Sequence, residues 1–118
     1  MAFTKIDEAW TYARNAGADL SAKLHYFAHV DTDGDIVLAG DGEHVIGVII
    51  EAAAENSPVT VAFGAIGKVI AGGAITAGER IASDADGKAV TAAVGDYEVG
   101  TALTSADAGD VFSFAHLP

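Results

Sequence analysis

A chain of 118 residues with no cysteine, 17 acidic against six basic side chains and a formal charge of −11 already rules out several kinds of protein. The length suits one domain with a real core, the missing thiols remove disulfides, cysteine-zinc sites and cysteine nucleophiles, and the charge repels nucleic acid and anionic membranes alike. Gly64, Gly67, Lys68 and Gly72 break the longest apolar stretches well short of the ~18 residues of a membrane helix, and Asp7 and Glu8 stand where a secretory signal would be apolar, so a soluble, non-exported protein is expected.

In chain order, the first element is a neutral head. Residues 1–23 hold three acids and three bases, so the remainder carries the whole charge of −11. Phe3, Ile6, Trp10 and Ala13 recur at intervals of three and four, with Thr4 as an N-cap and Gly17 as a stop, which suits a short helix over 3–17. An extended arm is equally compatible, because a helix this short needs a surface to dock on. The head also concentrates aromatics: Phe3, Trp10 and Tyr12 are three of the chain's nine and include the only Trp. Such residues either close an open end of the chain's own fold or anchor a partner. The expected organisation is an arm, 1–17, on a β-rich domain, 18–118.

Beyond the head the signals are those of strands. Runs over 24–30, 36–38, 45–50, 59–63, 66–71, 80–83, 89–92, 98–103 and 111–116 are short, often β-branched or aromatic, and separated by Gly, Asp, Asn or Pro. Starts about eight to twelve residues apart predict an all-β barrel or sandwich. Apolar at nearly every position, 45–50 predicts a central strand covered on both faces. Gly47 and Gly100 fall within such runs as structural glycines, marking a bulge or a close backbone approach.

The chain also repeats itself. Asp33-Gly34-Asp35-Ile36-Val37 returns as Asp86-Gly87-Lys88-Ala89-Val90, a shift of 53 residues that also maps 45–48 onto 98–101 and 59–61 onto 112–114. Residues 18–22 resemble 73–77 at a shift of 55. A module of about fifty residues, at 18–63 and 73–116, thus occurs twice, too few copies for a solenoid, which needs at least ~3. A closed, pseudo-duplicated single domain is expected.

Searches for chemistry return little. Asp31-Thr32-Asp33-Gly34-Asp35 looks like a calcium loop, but an EF-hand wants glycine sixth and glutamate twelfth, where this chain has Ile36 and Gly42. The second copy places Lys88 where the first has Asp35 and keeps only the Asp-Gly pair. Asp33-Gly34 and Asp86-Gly87 therefore read as structural turns. The Gly67-Lys68 pair lacks the spacing and hydroxyl of a phosphate loop, and 71–78 lacks a dinucleotide fingerprint. His25 and His29 would share one strand face, within reach of Asp31 as zinc ligands, but no compact ligand set surrounds them and a structural role is favoured. His44 and His116 stand alone. Ser21, Ser57, Ser83, Ser105 and Ser113 lack the Gly-x-Ser-x-Gly context, and Asp84 and Asp86 read as a solvated turn. No catalytic, metal or cofactor set is expected.

The stretch KVIAGGAITAGERIASDADGKAVTAAVGDYEVGTAL, residues 68–103, resembles the small capsid decoration, or cement, proteins of tailed bacteriophages. In that family a glycine-alanine strand entry, an Ile-Thr-Ala-Gly step, a Ser-Asp-x-Asp-Gly-Lys turn, a Gly-Asp spacer and an apolar-Gly-x-Ala-Leu strand follow in this order. ADLSAKLHYFAHVDTDGDIVLAG with HVIGVI is similar to the upstream half, and AGDVFSF to the final strand, so the likeness covers roughly 16–114. Residues 3–17 carry no shared motif. The resemblance implies a protein made in the bacterial host cytoplasm that forms a β-rich knob on the outside of the phage head. It also implies trimers at threefold and quasi-threefold positions that bridge neighbouring major capsid subunits against DNA pressure, often with an N-terminal segment on the shell.

The expectation is therefore a structural virion protein, not an enzyme. Its partners are the major capsid protein and two further copies of itself, and Phe3, Ile6, Trp10 and Tyr12 serve as capsid contacts. One alternative is a carbohydrate- or receptor-binding β module, which exposed aromatics across the body would favour. Another is a small hydrolase, marked by carboxylates converging in a pocket.

Overall fold

The computed structural model describes residues 10–116, whose regular structure is entirely β. The strands are β1 (Trp10–Asn15), β2 (Phe27–Val30), β3 (Ile36–Leu38), β4 (Gly47–Glu51), β5 (Pro58–Phe63), β6 (Ile66–Ile70), β7 (Arg80–Ser83), β8 (Ala89–Thr91), β9 (Gly100–Ala102) and β10 (Val111–His116). Of the two conformations open to 3–17, the described part is extended: β1 pairs antiparallel with β5, Trp10 opposite Phe63 and Asn15 opposite Pro58. Residues 1–9 and 117–118, and with them Phe3 and Ile6, lie outside the described residues.

Patterning accounts for the strands. In β5, Val59 and Val61 are buried on either side of half-buried Thr60, and in β10 Phe112 and Phe114 flank half-buried Ser113, the alternation a pleated strand imposes. Pro58 stands first in its strand, where a missing N–H is tolerated. In β4, Gly47, Val48 and Ile49 are all buried, because Ile49 faces one apolar cluster and Val48 the other. This is the doubly covered strand that its composition predicts.

Two five-stranded antiparallel sheets result, ordered β1-β5-β4-β2-β3 and β6-β10-β9-β7-β8. The second order is the first with five added to every strand number, so the duplication covers the whole topology and includes β1 and β6. Each sheet curls until the residue after its first strand bridges its last: Ala16 meets Ile36 and Ala71 meets Ala89 in equivalent parallel bridges. Backbone conformation repeats as well. Among the described residues the eight with positive φ form four pairs 53 apart: His25 and Gly78, Gly34 and Gly87, Gly42 and Gly95, Asn56 and Gly109.

Packing shows both the duplication and where it breaks. Ala16, Leu20, Ala28, Ile36, Ile49, Val59 and Val61 form the first half's cluster. Their counterparts at the shifts of 55 and 53, Ala71, Ile75, Ile81, Ala89, Ala102, Phe112 and Phe114, sit together in the second. That second cluster also takes in Phe27, Ala39, Val45 and Val48 from the first half, with the Phe27 ring edge-on to Phe114 at 5.8 Å. Backbone bonds from Phe27 N–H to Gly87 O and from Ile70 N–H to His25 O sew the halves together. At the positions equivalent to Phe27, Val45 and Val48 the second half has Arg80, Glu98 and Thr101. Arg80 and Glu98 are exposed and pair across 2.9 Å. The halves therefore stack head to tail, and the second half ends the stack with a charged face, as a capping repeat does.

Candidate interaction surface

The Asp-Gly corners come first, since they are the most conspicuous motif. Gly34 and Gly87 adopt φ of +83° and +82°, values only glycine takes without strain. Each corner is held from upstream. Asp31 Oδ1 accepts the backbone N–H groups of Asp33 and Asp35 at 2.9 Å, and Asp84 Oδ1 accepts those of Asp86 and Lys88 at 2.8 and 2.9 Å. The anchors are thus Asp31 and Asp84, not the Asp33 and Asp86 that adjoin the glycines, and both were visible as an aspartate pair 53 apart. An oxygen that accepts two backbone N–H groups is committed to the turn.

The strand glycines act through space. Gly47 opens β4 and Gly100 opens β9, so both stand at strand starts, not mid-strand. A Cβ at Gly47 would run into the carbonyl oxygen of Ala62, and one at Gly100 into that of Ala115. Only glycine allows the neighbouring backbone so near.

The histidines fall differently from the sequence expectation. His25 and His29 do not share a strand face: β2 starts at Phe27, and His25 lies before it at φ +70°. The structure separates them because the chain needs a left-handed residue there, supplied by Gly78 in the second half. His29 instead has Nδ1 2.9 Å from His44 O and Nε2 3.8 Å from Glu43. Nor does His44 stand alone, as its ring meets Tyr97 of the second half edge-on at 4.5 Å.

Two surfaces offer groups to a partner. The first is β1, an outer strand whose residues 11–15 are all exposed, with Tyr12 opposite Val61. Among the described residues no strand pairs with its far edge, the kind of edge at which a partner can add. The second is a groove of about 290 Å³ at the seam of the halves, lined by His25, Val48, Ile50, Ile66, Gly67 and Lys68. Its lining includes no carboxylate, so it lacks the paired acids of a hydrolase. Sequence reading missed it because its walls come from β4 and β6, brought together only by the head-to-tail stack. Among the described residues the exposed large aromatics are Tyr12 in β1 and Tyr97 on the body, a sparse supply for a glycan-stacking surface.

Comparison with known proteins decides the family. Residues 28–117 match the model of the phage cement protein family. The chain belongs to that family. In fold it is similar to the N base of head fiber gp8.5 of bacteriophage phi29, with a TM-score of 0.77 over 93% of this chain and 95% of that one, at 18% identity. No curated protein matches it in sequence. The cement protein is thus a structural protein associated with the phage capsid, the family that the resemblance over residues 16–114 names.

Proposed function

We propose that this cement protein sits on the outer surface of the phage head as a trimer and ties neighbouring major capsid subunits together. The observation that carries this reading is membership of the cement family across residues 28–117. Its charge supports it: at −11 the protein stays soluble and apart from nucleic acid before it meets the shell. Three copies acting together multiply individually weak contacts through avidity. Phe3, Ile6, Trp10 and Tyr12 form the shell-facing anchor in this reading, as aromatics do at interface hot spots.

The test is co-sedimentation with expanded heads that lack the protein. Wild-type protein is expected to pellet with such heads and to raise the temperature at which they rupture. Because Trp10–Asn15 is a strand of the first sheet, a truncation that probes the anchor must stop at residue 9. Removing residues 1–9 should weaken head binding by about tenfold or more, the loss of one hot-spot cluster, without altering unfolding of the body. Wild-type protein that remains in the supernatant at every concentration would overturn the proposal.

A further inference from the structure

The seam groove lies along an open strand edge. In β6, Gly67 and Val69 face Phe114 and Phe112 of β10, and the bonds from His116 N–H to Ala65 O and from Ala71 N–H to Asp110 O set the hydrogen-bonding phase of this ladder. The backbone groups of Ile66, Lys68 and Ile70 consequently point away from β10. Ile70 is already taken, since its N–H donates to His25 O at 3.0 Å. Ile66 and Lys68 continue the same edge with no backbone partner among the described residues. His25 thus begins a strand pairing that no described residue completes.

Side chains beside this edge point to a ligand as well. Ile50 is the extra residue of a β-bulge, the register with β5 shifting between Ile49 and Glu51, and bulges re-aim side chains next to binding sites. It is 40% exposed, and Ile66 across the groove is 56% exposed. His25 Nδ1, also in the lining, is buried without a hydrogen-bond partner. Lys68 at the rim is exposed and has no ion pair or ring partner among the described residues, whereas Arg80 pairs with Glu98 and Lys23 and Lys88 lie over Tyr26. A free cation beside an apolar groove, on a protein of charge −11, complements an acidic group. The same charge disfavours nucleic acid and anionic lipid.

We propose that the edge of β6 at Ile66–Lys68 takes an extended segment of a protein partner by strand addition. The segment carries an apolar side chain and a carboxylate two residues apart. Main-chain bonds to Ile66 and Lys68 supply affinity, the apolar side chain fills the groove between Ile50 and Ile66, and the carboxylate meets Lys68. The two-residue spacing follows from the pleat, because Ile66 and Lys68 themselves are two apart on one face. Resting on the capsid-binding reading, this names a second contact on the major capsid subunit, separate from the aromatic anchor.

The experiment is head co-sedimentation with Lys68→Glu, Lys68→Arg and Ile66→Ser, each with an unfolding curve and a sedimentation-velocity measurement. Lys23→Glu serves as the control of equal charge change. Lys68→Glu and Ile66→Ser should each weaken binding about tenfold or more, while Lys68→Arg and Lys23→Glu stay near wild type. Both substituted positions are exposed, so folding should be kept, and Lys68→Arg reads the same contact if one variant unfolds. Wild type that binds together with a Lys68→Glu that binds equally well overturns the groove alone; wild type that never binds overturns the capsid reading itself. If Lys68→Glu instead lowers the oligomeric state and leaves head binding intact, the occupant is another copy and the inference is overturned.

Discussion

Phe27→Ala should remove about 3–5 kcal/mol of stability, while Arg80→Ala, at the equivalent position of the second half, should change it by less than about 1 kcal/mol. The two residues occupy the same place in a duplicated topology. Phe27 is fully buried, fills the second half's core and meets Phe114 edge-on; truncating it leaves a cavity between halves whose backbones hold them in place. Arg80 lies on the face where the stack ends and offers only an exposed pair with Glu98. Urea unfolding of both variants, analysed at a common denaturant dependence, separates the cases. Similar losses at the two positions would show that the halves pack by symmetry and not head to tail.

Gly100→Ala should cost about 3 kcal/mol or more, at the upper end for overpacking, although it adds a single methyl. That methyl has nowhere to go, since the carbonyl oxygen of Ala115 stands in its position and the clash is with backbone. Relief requires β9 and β10 to move apart, and β10 also carries Phe112 and Phe114 into the core. Gly73→Ala is the matched control: no atom lies within 4 Å of its Cβ and its φ is not positive. There the substitution should be neutral or stabilise by up to about 1 kcal/mol through the unfolded chain. Thermal unfolding checks both, and equal midpoints for the two variants would remove the close-approach explanation.

What the sequence disclosed depended on whether two copies kept the same residues. The Asp-Gly corners, the glycines at 47 and 100 and the apolar runs recur at one spacing, so the all-β class, the duplication and the family likeness could all be read. The first strand of each half could not: Trp10–Asn15 reads WTYARN and Ile66–Ile70 reads IGKVI. Their equivalence lives in hydrogen bonding and not in side chains. Consequently the repeat in sequence begins only after β1, and the spacing of the head by itself allows a helix.

The stacking direction was written in the differences between copies. Phe27 against Arg80, Val45 against Glu98 and Val48 against Thr101 each set an apolar residue opposite a polar one, which marks one face as covered and its twin as solvated. Only knowledge of which strand faces which turns that asymmetry into a direction. His25 failed for a related reason. Within the run over 24–30 nothing local announces a left-handed residue, and the clue was Gly78 a module later. The seam groove was invisible for the same cause, since Ile50 and Ile66 belong to different sheets.

Adhesion of the duplicated β body to the head exterior, as proposed above, should be directly visible. Cryo-electron microscopy of expanded heads, with and without the added protein, tests it most directly. The expected result is extra density confined to the outside of the shell, arranged in threes, each knob touching at least two capsid subunits. Identical maps, density inside the shell, or knobs that each touch one subunit alone would contradict it.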